Sequence, residues 1–467
     1  MNNDRQQRQV LLATSISYVI VILDTSIVNV ALERIATGLA GGVAGLQWVV
    51  NAYTLSFASV LLSGGTLADR LGARHVYIGG LAAFTLASAL CGAAPSLAVL
   101  IAARVLQGVG AALLVPASMA LINQAWPEPR QRTAVFGLWA GLGAVAMAAG
   151  PLLGGVLTGL SGWRGIFLVN VPICVAGVVM AFQIGPLRVR EAPRSAARRF
   201  DLAGQFAGIA TLALLNVSII EAPVYGWHSA IIAGCVAATV SAGVLFVAIE
   251  TTRAHPMLPL ALFRQPLFSG SVFVSMLSAF TFYGLLFTLS LYLQQQRGYP
   301  PLRAGLAFLP LTLVMPAGSL LSKRAVQWLG PRRLVAGAFL LAAIGYLALM
   351  RVGPAAQYWM LALPLPAIGL AASLITPATT TALMGCVDGH RAGIAAGVLN
   401  AARQTGAALG VALSGALIAT QPSMAAALQA VLLIAATMST LAGAIWWRAS
   451  AQSSLIACGI IRKARKP

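Results

Sequence analysis

The strongest constraint on this chain is a series of long apolar segments that contain almost no charge. Hydrophobic residues make up 59% of the 467 residues and charged residues only 9%, against about 25% charged residues in a typical soluble domain. Such segments cross a bilayer as helices, because a helix satisfies its own backbone hydrogen bonds. The sequence therefore predicts an all-α integral membrane protein with no large catalytic domain outside the membrane.

Fourteen segments are long enough to span the membrane. They are residues 10–30, 48–68, 76–94, 97–123, 133–157, 163–185, 202–220, 230–249, 267–293, 304–322, 334–350, 358–385, 394–420 and 425–447. An arginine-rich linker at 186–201 divides them into six, two and six. We therefore predict an N-terminal six-helix half with a basic linker (1–200), a two-helix insertion with a cytoplasmic loop (201–266), a C-terminal six-helix half (267–447) and a basic cytoplasmic tail (448–467). Transporters with repeated halves place the substrate site near the midplane, between the halves.

The distribution of positive charge predicts the orientation. Most of the 30 Lys and Arg residues fall in the tails and loops on the N-terminal side of the membrane, which places both termini in the cytoplasm. In a soluble protein the net charge of +20 would suggest nucleic acid. Here it marks cytoplasmic loops of a protein in the cytoplasmic (inner) membrane, so we expect contact with membrane lipids and none with nucleic acid.

The residues that usually form metal sites or active sites are scattered. The five cysteines are widely spaced, without a CxxC pair, and the four histidines fall in loops. We therefore expect no metal and no cofactor. A membrane-embedded enzyme would need converging His, Asp or Cys groups, and a scaffold without transport activity would not need charges within its spans.

Asp24 is the one acidic residue deep within a predicted span. From the helical rise, it lies about 21 Å from the inner face, and Arg104 about 10 Å from the outer face. In a core about 30 Å thick these depths nearly coincide, so we expect the two residues to pair. A buried carboxylate with a displaceable partner can bind and release a proton. A purely structural ion pair is the alternative.

Polar and aromatic residues in two later spans are candidates for the substrate cavity. Arg403 lies about 14 Å from the inner face, with Asn400 and Gln404 on the same side of the helix. It could cap backbone carbonyls between packed helices or line the cavity. The ninth span has an aromatic face that could stack on flat drugs or simply pack against other helices: Phe273, Phe280, Tyr283 and Phe287.

Two glycine-containing motifs predict tight helix packing. The loop at 64–74 has a fixed order of small, acidic and basic residues, with these candidate gating positions: Gly65, Asp69, Arg70, Gly72 and Arg74. In the fifth span, pairs of glycines four residues apart permit close crossings, and Pro151 adds a kink. The core of this second motif is Gly150, Pro151, Gly154 and Gly155.

These motifs resemble those of a known family. The loop at 64–74 is similar to the major facilitator signature between spans two and three, the segment from Arg104 to Pro116 to its span-four motif, and the glycine motif at 150–155 to its antiporter motif. Residues 23–32, 162–172 and 400–406 resemble the fourteen-span drug:proton antiporter-2 family. Glu33 and Ala73 depart from the usual proline and basic residue of these motifs. The corresponding loop of the second half, 323–333, lacks an aspartate.

The resemblance implies a proton-driven exporter that works by alternating access, with Asp24 and Arg104 in proton coupling. It adds Asn29 and Gln107 to the cavity candidates. The expected partners are a small amphipathic substrate, protons and lipids, while a periplasmic adaptor and an outer-membrane channel stay undetermined. An exporter dedicated to one antibiotic or metabolite is the alternative.

The predicted topology can be tested by labelling single cysteines in intact cells. We expect cysteines at positions 190–200 and 455–467 to be inaccessible from outside. External labelling of either region would contradict the number of spans or their orientation.

Overall fold

The computed structural model describes residues 2–184, 201–253, 258, 260–351, 353, 356–387 and 392–464. Throughout these ranges the chain is helical, without a β-strand, which confirms the predicted all-α membrane fold. The helices are α1 (Asn2–Gly38), α2 (Val43–Leu71), α3 (Ala73–Ala93), α4 (Leu97–Ala125), α5 (Pro129–Ser161), α6 (Gly165–Leu168), α7 (Asn170–Gln183), α8 (Leu202–Tyr225), α9 (Ala230–Thr252), α10 (Pro266–Leu291), α11 (Pro301–Ala307), α12 (Leu309–Thr312), α13 (Val314–Leu349), α14 (Tyr358–Ala362), α15 (Leu365–Gly385), α16 (Ala392–Thr420) and α17 (Met424–Ala464). The predicted basic linker, apart from Asp201, lies outside the described residues.

The number of membrane-spanning helices agrees with the sequence. Among the described residues, eleven helices are long and apolar enough to cross a bilayer, and the bent α2 makes twelve. The stretch Pro301–Leu349 counts once in this total, although Gly330, at φ +71°, separates two helices within it. The total also omits α16, a helix of 29 residues that includes Arg403. Counting Pro301–Leu349 as two spans and adding α16 gives the fourteen predicted spans.

The helices form two packed groups and a hairpin. In the first group α4 packs against α2 and α3, and α1 packs against α5. In the second group α10 packs against α16 and α17, and α13 against α15 and α17. The hairpin of α8 and α9 contacts both groups, because α8 packs against α2 and α16. This arrangement agrees with two halves and an insertion, whose boundaries stay predictions.

Glycines bring helix backbones close together within each group. A Cβ on Gly110 of α4 would lie 2.8 Å from the backbone nitrogen of Phe84 in α3. On α16, a Cβ on Gly406 would lie 2.8 Å from the carbonyl carbon of Met276 in α10. A larger side chain at either position would push the two helices apart.

Polar side chains of α2 join the two groups at the end of the bundle where α1 ends. The Gln47 amide donates to the carbonyls of Val411 (3.3 Å) and Ala412 (2.5 Å) in α16. One turn further along α2, the Asn51 amide donates to the carbonyl of Ala408 (3.0 Å). These carbonyls lie within α16 and accept the side-chain bonds in addition to their helix bonds, so the bonds hold α2 against α16.

The end of α10 is bonded to α1 at the same level. The Ser290 hydroxyl donates to the Asn29 carbonyl (2.7 Å), and the Gln294 amide donates to the Val30 carbonyl (3.1 Å). Nearby, the Gln295 amide donates to the carboxylate of Glu33. These contacts close the bundle at the end that the charge pattern predicts to lie outside.

The third closing contact joins α5 to α11 and depends on glycine. A Cβ on Gly155 would lie 2.6 Å from the carbonyl oxygen of Pro301 and 3.0 Å from Cα of Leu302. In return, a Cβ on Gly305 would collide with the carbonyl of Pro151. The antiporter-like motif of α5 therefore lies at the contact between the two helix groups.

Replacing Gly155 by valine should weaken this closure. Overpacking costs about 1–3 kcal/mol, and about 1.4 kcal/mol corresponds to a tenfold change in an equilibrium. We expect a cysteine at the buried position Ser290, in a background free of native cysteines, to react with a maleimide about tenfold faster in Gly155→Val. Gly159→Val is the matched control, because a Cβ at Gly159 meets no atom within 4 Å. Equal rates in both variants would contradict the contact.

Candidate functional site

Asp24 of α1 and Arg104 of α4 form an ion pair in the interior of the first helix group. Each residue is 1% exposed, and Nη1 of Arg104 contacts Oδ2 of Asp24. Arg104 also donates through Nε to the carbonyl of Val49 (2.9 Å). The structure thus brings together the two residues that the depth argument paired.

Amide and hydroxyl groups complete the surroundings of the pair. Gln107, one turn after Arg104, accepts from Nη1 of Arg104 (2.7 Å) and donates to Oδ1 of Asp24 (3.0 Å). It also donates to the Ser88 hydroxyl of α3 (3.0 Å), while the Asn170 amide of α7 donates to Oδ1 of Asp24 (3.4 Å). Gln107 therefore belongs to this buried network and not to an open cavity.

Aromatic rings shield the guanidinium of Arg104 on its open sides. Its central carbon lies 4.3 Å from the ring centre of Tyr53 and 5.7 Å from that of Phe167. These contacts provide cation–π attraction and exclude water from the pair. Water can therefore reach the Asp24 carboxylate only if some of these partners move.

Arg403 lies in the second helix group and is bonded to α15. Its Nη2 donates to the carbonyl of Thr376 (2.9 Å) and to the Thr380 hydroxyl (2.8 Å). The side chain is half-buried and within electrostatic range of Tyr18 of α1 and Tyr283 of α10. Arg403 therefore caps a carbonyl of α15, and its place in the substrate cavity stays a prediction.

The other polar candidates are placed less centrally. Asn29 is buried and donates to the carbonyls of Thr25 (3.2 Å) and Ser26 (3.3 Å) in its own helix. Asn400 and Gln404 are half-buried on α16, and neither side chain has a hydrogen bond to another residue in the described part of the chain. The amide oxygen of Asn29 is buried without a partner among these residues.

The aromatic face of α10 does not act as one surface. Phe273 is 39% exposed, Phe287 is fully buried among core side chains, and Phe280 lines a narrow crevice against α16 and α17. Tyr283 is the member that faces the first helix group, where its hydroxyl contacts Sδ of Met147 in α5 (3.9 Å). Neighbouring helices cover the same face differently along its length, which the sequence of α10 alone does not reveal.

The loop between α2 and α3 turns at Gly72, whose φ of +86° favours glycine. Arg74 donates to the carbonyls of Ala181 (3.2 Å) and Phe182 (2.9 Å) at the end of α7. Asp69 and Arg70 are exposed. In α2 a Cβ on Gly64 would collide with the Ala112 carbonyl of α4, whereas a Cβ on Gly65 would have ordinary contacts.

The antiporter-like motif contacts α1 as well as α11. A Cβ on Gly154 would lie 2.6 Å from the carbonyl oxygen of Ile27, and a Cβ on Gly150 would collide with the Ser26 side chain. Ser26 and Ile27 directly follow the segment that contains Asp24. A movement of α5 against α1 would therefore be transmitted to the helix that holds the carboxylate.

Several residues of the site escaped the sequence analysis. Tyr18 stacks on Trp139 of α5 at 3.6 Å between ring centres and an angle of 17°. Asn51, besides its bond to α16, donates to Oδ1 of Asn216 in α8 (3.3 Å). Gln47 and Asn51 are polar residues one turn apart at the start of α2, and this spacing is the sequence signal that could have identified the contact with α16. No group of His, Cys, Asp and Glu in the described residues is arranged to hold a metal.

Comparison with known proteins agrees with this fold. The family model described as Major Facilitator Superfamily matches residues 14–411. The methylenomycin A resistance protein of Bacillus subtilis (strain 168) is 37% identical over 88% of this chain and 87% of that protein. The multidrug resistance protein Stp of Mycobacterium tuberculosis is 36% identical, over 89% and 76%. The puromycin resistance protein pur8 of Streptomyces alboniger is 38% identical, over 84% and 78%.

Solved structures give the same fold at lower identity. A bacterial homologue of the human lysosomal transporter Spinster, in an inward-facing and unoccupied conformation, aligns with a TM-score of 0.68 at 18% identity, over 95% of this chain and 97% of that one. The human organic anion transporter MFSD10 aligns with a TM-score of 0.64 at 18% identity, over 94% and 99%. Together with the family match and the relatives above 30% identity, they show that the chain belongs to the major facilitator superfamily, whose members are membrane transporters and not enzymes.

Proposed function

We propose that this protein exports small amphipathic compounds across the cytoplasmic membrane in exchange for protons, by alternating access. The observation that supports it most is the buried Asp24–Arg104 pair within a network that spans α1, α3, α4 and α7. The relatives named for drug resistance support an exporter of drugs, and both termini are expected in the cytoplasm.

The pair has the chemistry that proton coupling needs. A carboxylate held by a guanidinium and two amides stays ionised, whereas one that loses its cationic partner in a desolvated site takes up a proton. Substrate binding or helix movement that separates Arg104 from Asp24 would therefore load a proton, and restoring the pair would release it. The contacts of Gly150 and Gly154 with α1 provide a route from the rocking of α5 to Asp24.

The contacts between the two helix groups support a state in which one end is closed. Bonds from α2 to α16, and from the end of α10 and the turn after it to α1, close the end predicted to lie outside. In an alternating-access scheme this closure would block exchange with the outside. Protons would enter only after these bonds break.

A transporter dedicated to one compound is the second candidate. It is favoured by relatives whose names mention a single antibiotic, whereas the name of Stp mentions several drugs. Substrate-triggered proton flux in proteoliposomes, measured over a panel of compounds, separates the two candidates, because a dedicated exporter would respond to one chemical class.

Replacing Asp24 by asparagine should abolish proton-driven export. Asparagine cannot exchange a proton, so uphill transport driven by a pH difference in proteoliposomes should fall to the rate of protein-free vesicles. Exchange of labelled for unlabelled substrate, without a gradient, should continue. If Asp24→Asn still concentrates substrate using only a pH difference, Asp24 is not the coupling residue.

The control must separate coupling from folding. Asp24→Asn leaves Arg104 buried without a counter-charge, a change that typically costs about 3–5 kcal/mol. The double variant Asp24→Asn/Arg104→Gln removes both charges and should recover most of that stability in thermal unfolding. It should still fail to couple. Recovery of proton-driven export in the double variant would contradict the assignment.

The charges near the cavity predict that dications are poor substrates. A dication needs more than one carboxylate to offset its desolvation. Asp24 is paired with Arg104, and the two acids of the inserted hairpin are engaged elsewhere: Glu221 accepts from Trp48 Nε1 and Glu250 from the backbone of Leu258. We therefore expect neutral, zwitterionic or singly charged amphipathic substrates.

The check is a resistance panel in a host stripped of its own efflux pumps. The wild-type protein should protect against monovalent or neutral compounds and give little protection against a bisbiguanide or a bisquaternary compound. Strong Asp24-dependent protection against the divalent compounds, with none against the others, would refute the charge argument.

A further inference from the structure

Arg403 is the charged group that the proposed coupling mechanism leaves unexplained. Its Nη2 is bonded to Thr376 and Thr380 of α15. Among the described residues its Nε and Nη1 have no hydrogen-bond partner, although a guanidinium has five N–H donors. The side chain is half-buried and not sealed in the core, so part of it is accessible to solvent or a ligand.

The charge of Arg403 is also not balanced by the protein. Within the part of the chain that the structure describes, the ion pair between Asp24 and Arg104 is the one salt bridge, and Arg403 has no carboxylate against it. Tyr18 and Tyr283 lie within its electrostatic range. Tyrosine side chains are uncharged at neutral pH, so they do not balance the charge of Arg403. A cation that is hydrated in an open cavity loses that hydration when the cavity is occluded, and without an anion the loss is costly.

Aromatic side chains lie near Arg403. We call Tyr18, Trp139 and Tyr283 the aromatic wall. The Tyr18 ring stacks on Trp139, and Tyr283 approaches from α10 and contacts Met147. These residues belong to α1, α5 and α10, and Arg403 belongs to α16. Arg403 is therefore within electrostatic range of one tyrosine from each half, and each of these tyrosines contacts α5.

We propose that Arg403 binds an anionic group of the substrate, in the first place a single carboxylate, next to a flat apolar body that rests on the aromatic wall. The planar guanidinium fork matches a carboxylate through two parallel hydrogen bonds, which an ammonium cannot reproduce. The substrate then supplies the counter-charge that the protein lacks. This inference rests on the proposed export function and narrows its substrate class.

A pair of probes that differ only in charge tests the inference. 2-Naphthoate has one carboxylate on a flat aromatic body, and 2-naphthamide has the same shape without the charge. In equilibrium dialysis with the full chain in zwitterionic lipid nanodiscs, with binding to empty nanodiscs subtracted, naphthoate should bind at least about tenfold more tightly than naphthamide. Naphthoate binding no tighter than that of naphthamide would overturn the proposal.

Substitutions of Arg403 test whether this residue causes the difference in affinity between naphthoate and naphthamide. Arg403→Gln should weaken naphthoate binding by about tenfold or more and change naphthamide binding less than about twofold, which also shows that the site remains folded. Arg403→Lys keeps the charge but not the fork and should give an intermediate affinity. Equal losses for both probes in Arg403→Gln would mean that Arg403 only supports packing, and the proposal would fail.

A second measurement tests the electrostatic potential near Arg403 and needs no ligand. In a background free of native cysteines, Met147→Cys should react faster with an anionic than with a cationic methanethiosulfonate reagent of similar size. Arg403→Gln should lower this rate ratio several-fold, and an unchanged ratio would contradict a cationic cavity. Neither experiment uses a proton gradient, so failure of proton coupling and failure of the anion site are distinguishable.

Discussion

A charge inside the hydrocarbon core has to be neutralised where it lies, and this requirement organises the first half of the protein. Asp24 and Arg104 are buried together with the groups that bind them: Gln107 and Asn170 donate to Asp24, Arg104 donates to Gln107 and to the Val49 carbonyl, and Ser88 accepts from Gln107. Four helices therefore meet at one polar point in an otherwise apolar bundle. Moving α1 away from α4 would leave both charges unpaired, whereas moving α3 or α7 would remove only a hydrogen bond from the network.

The second half differs, because its half-buried Arg403 has no carboxylate partner in the described part of the chain. In the proposed mechanism this difference would give the two halves separate roles. Arg403 is held by neutral groups of α15 and keeps donors free, so its charge is left for a ligand to balance. In the proposed mechanism the first half exchanges a proton and the second half recognises the substrate. The contacts of α2 with α16 and of α5 with α11 make the two events depend on each other.

Features that depend on one helix or on depth alone were predictable from the sequence. Apolar runs gave the spans, and equal depth paired Asp24 with Arg104. Features that depend on which helix covers which face were not predictable from the sequence. The sequence drew attention to Gly65, whereas the structure makes Gly64 the tight position, and it treated the α10 aromatics as one surface, although Phe287 is core and Tyr283 is at the interface. The open or closed state of either end is a property of both halves together.

The inserted hairpin has a consequence for the surrounding lipid. Asn216 of α8 is bonded to Asn51 of α2, which in turn is bonded to the backbone of α16, while few residues of α9 are buried by protein. A hairpin attached to both halves cannot stay fixed to both when they rotate against each other, so under alternating access it has to slide along one of them in every cycle. Lipid packed around α9 has to rearrange with it. In the proposed cycle, the lateral pressure and thickness of the bilayer would therefore resist the movement of the hairpin, in addition to the chemistry of the proton and the substrate.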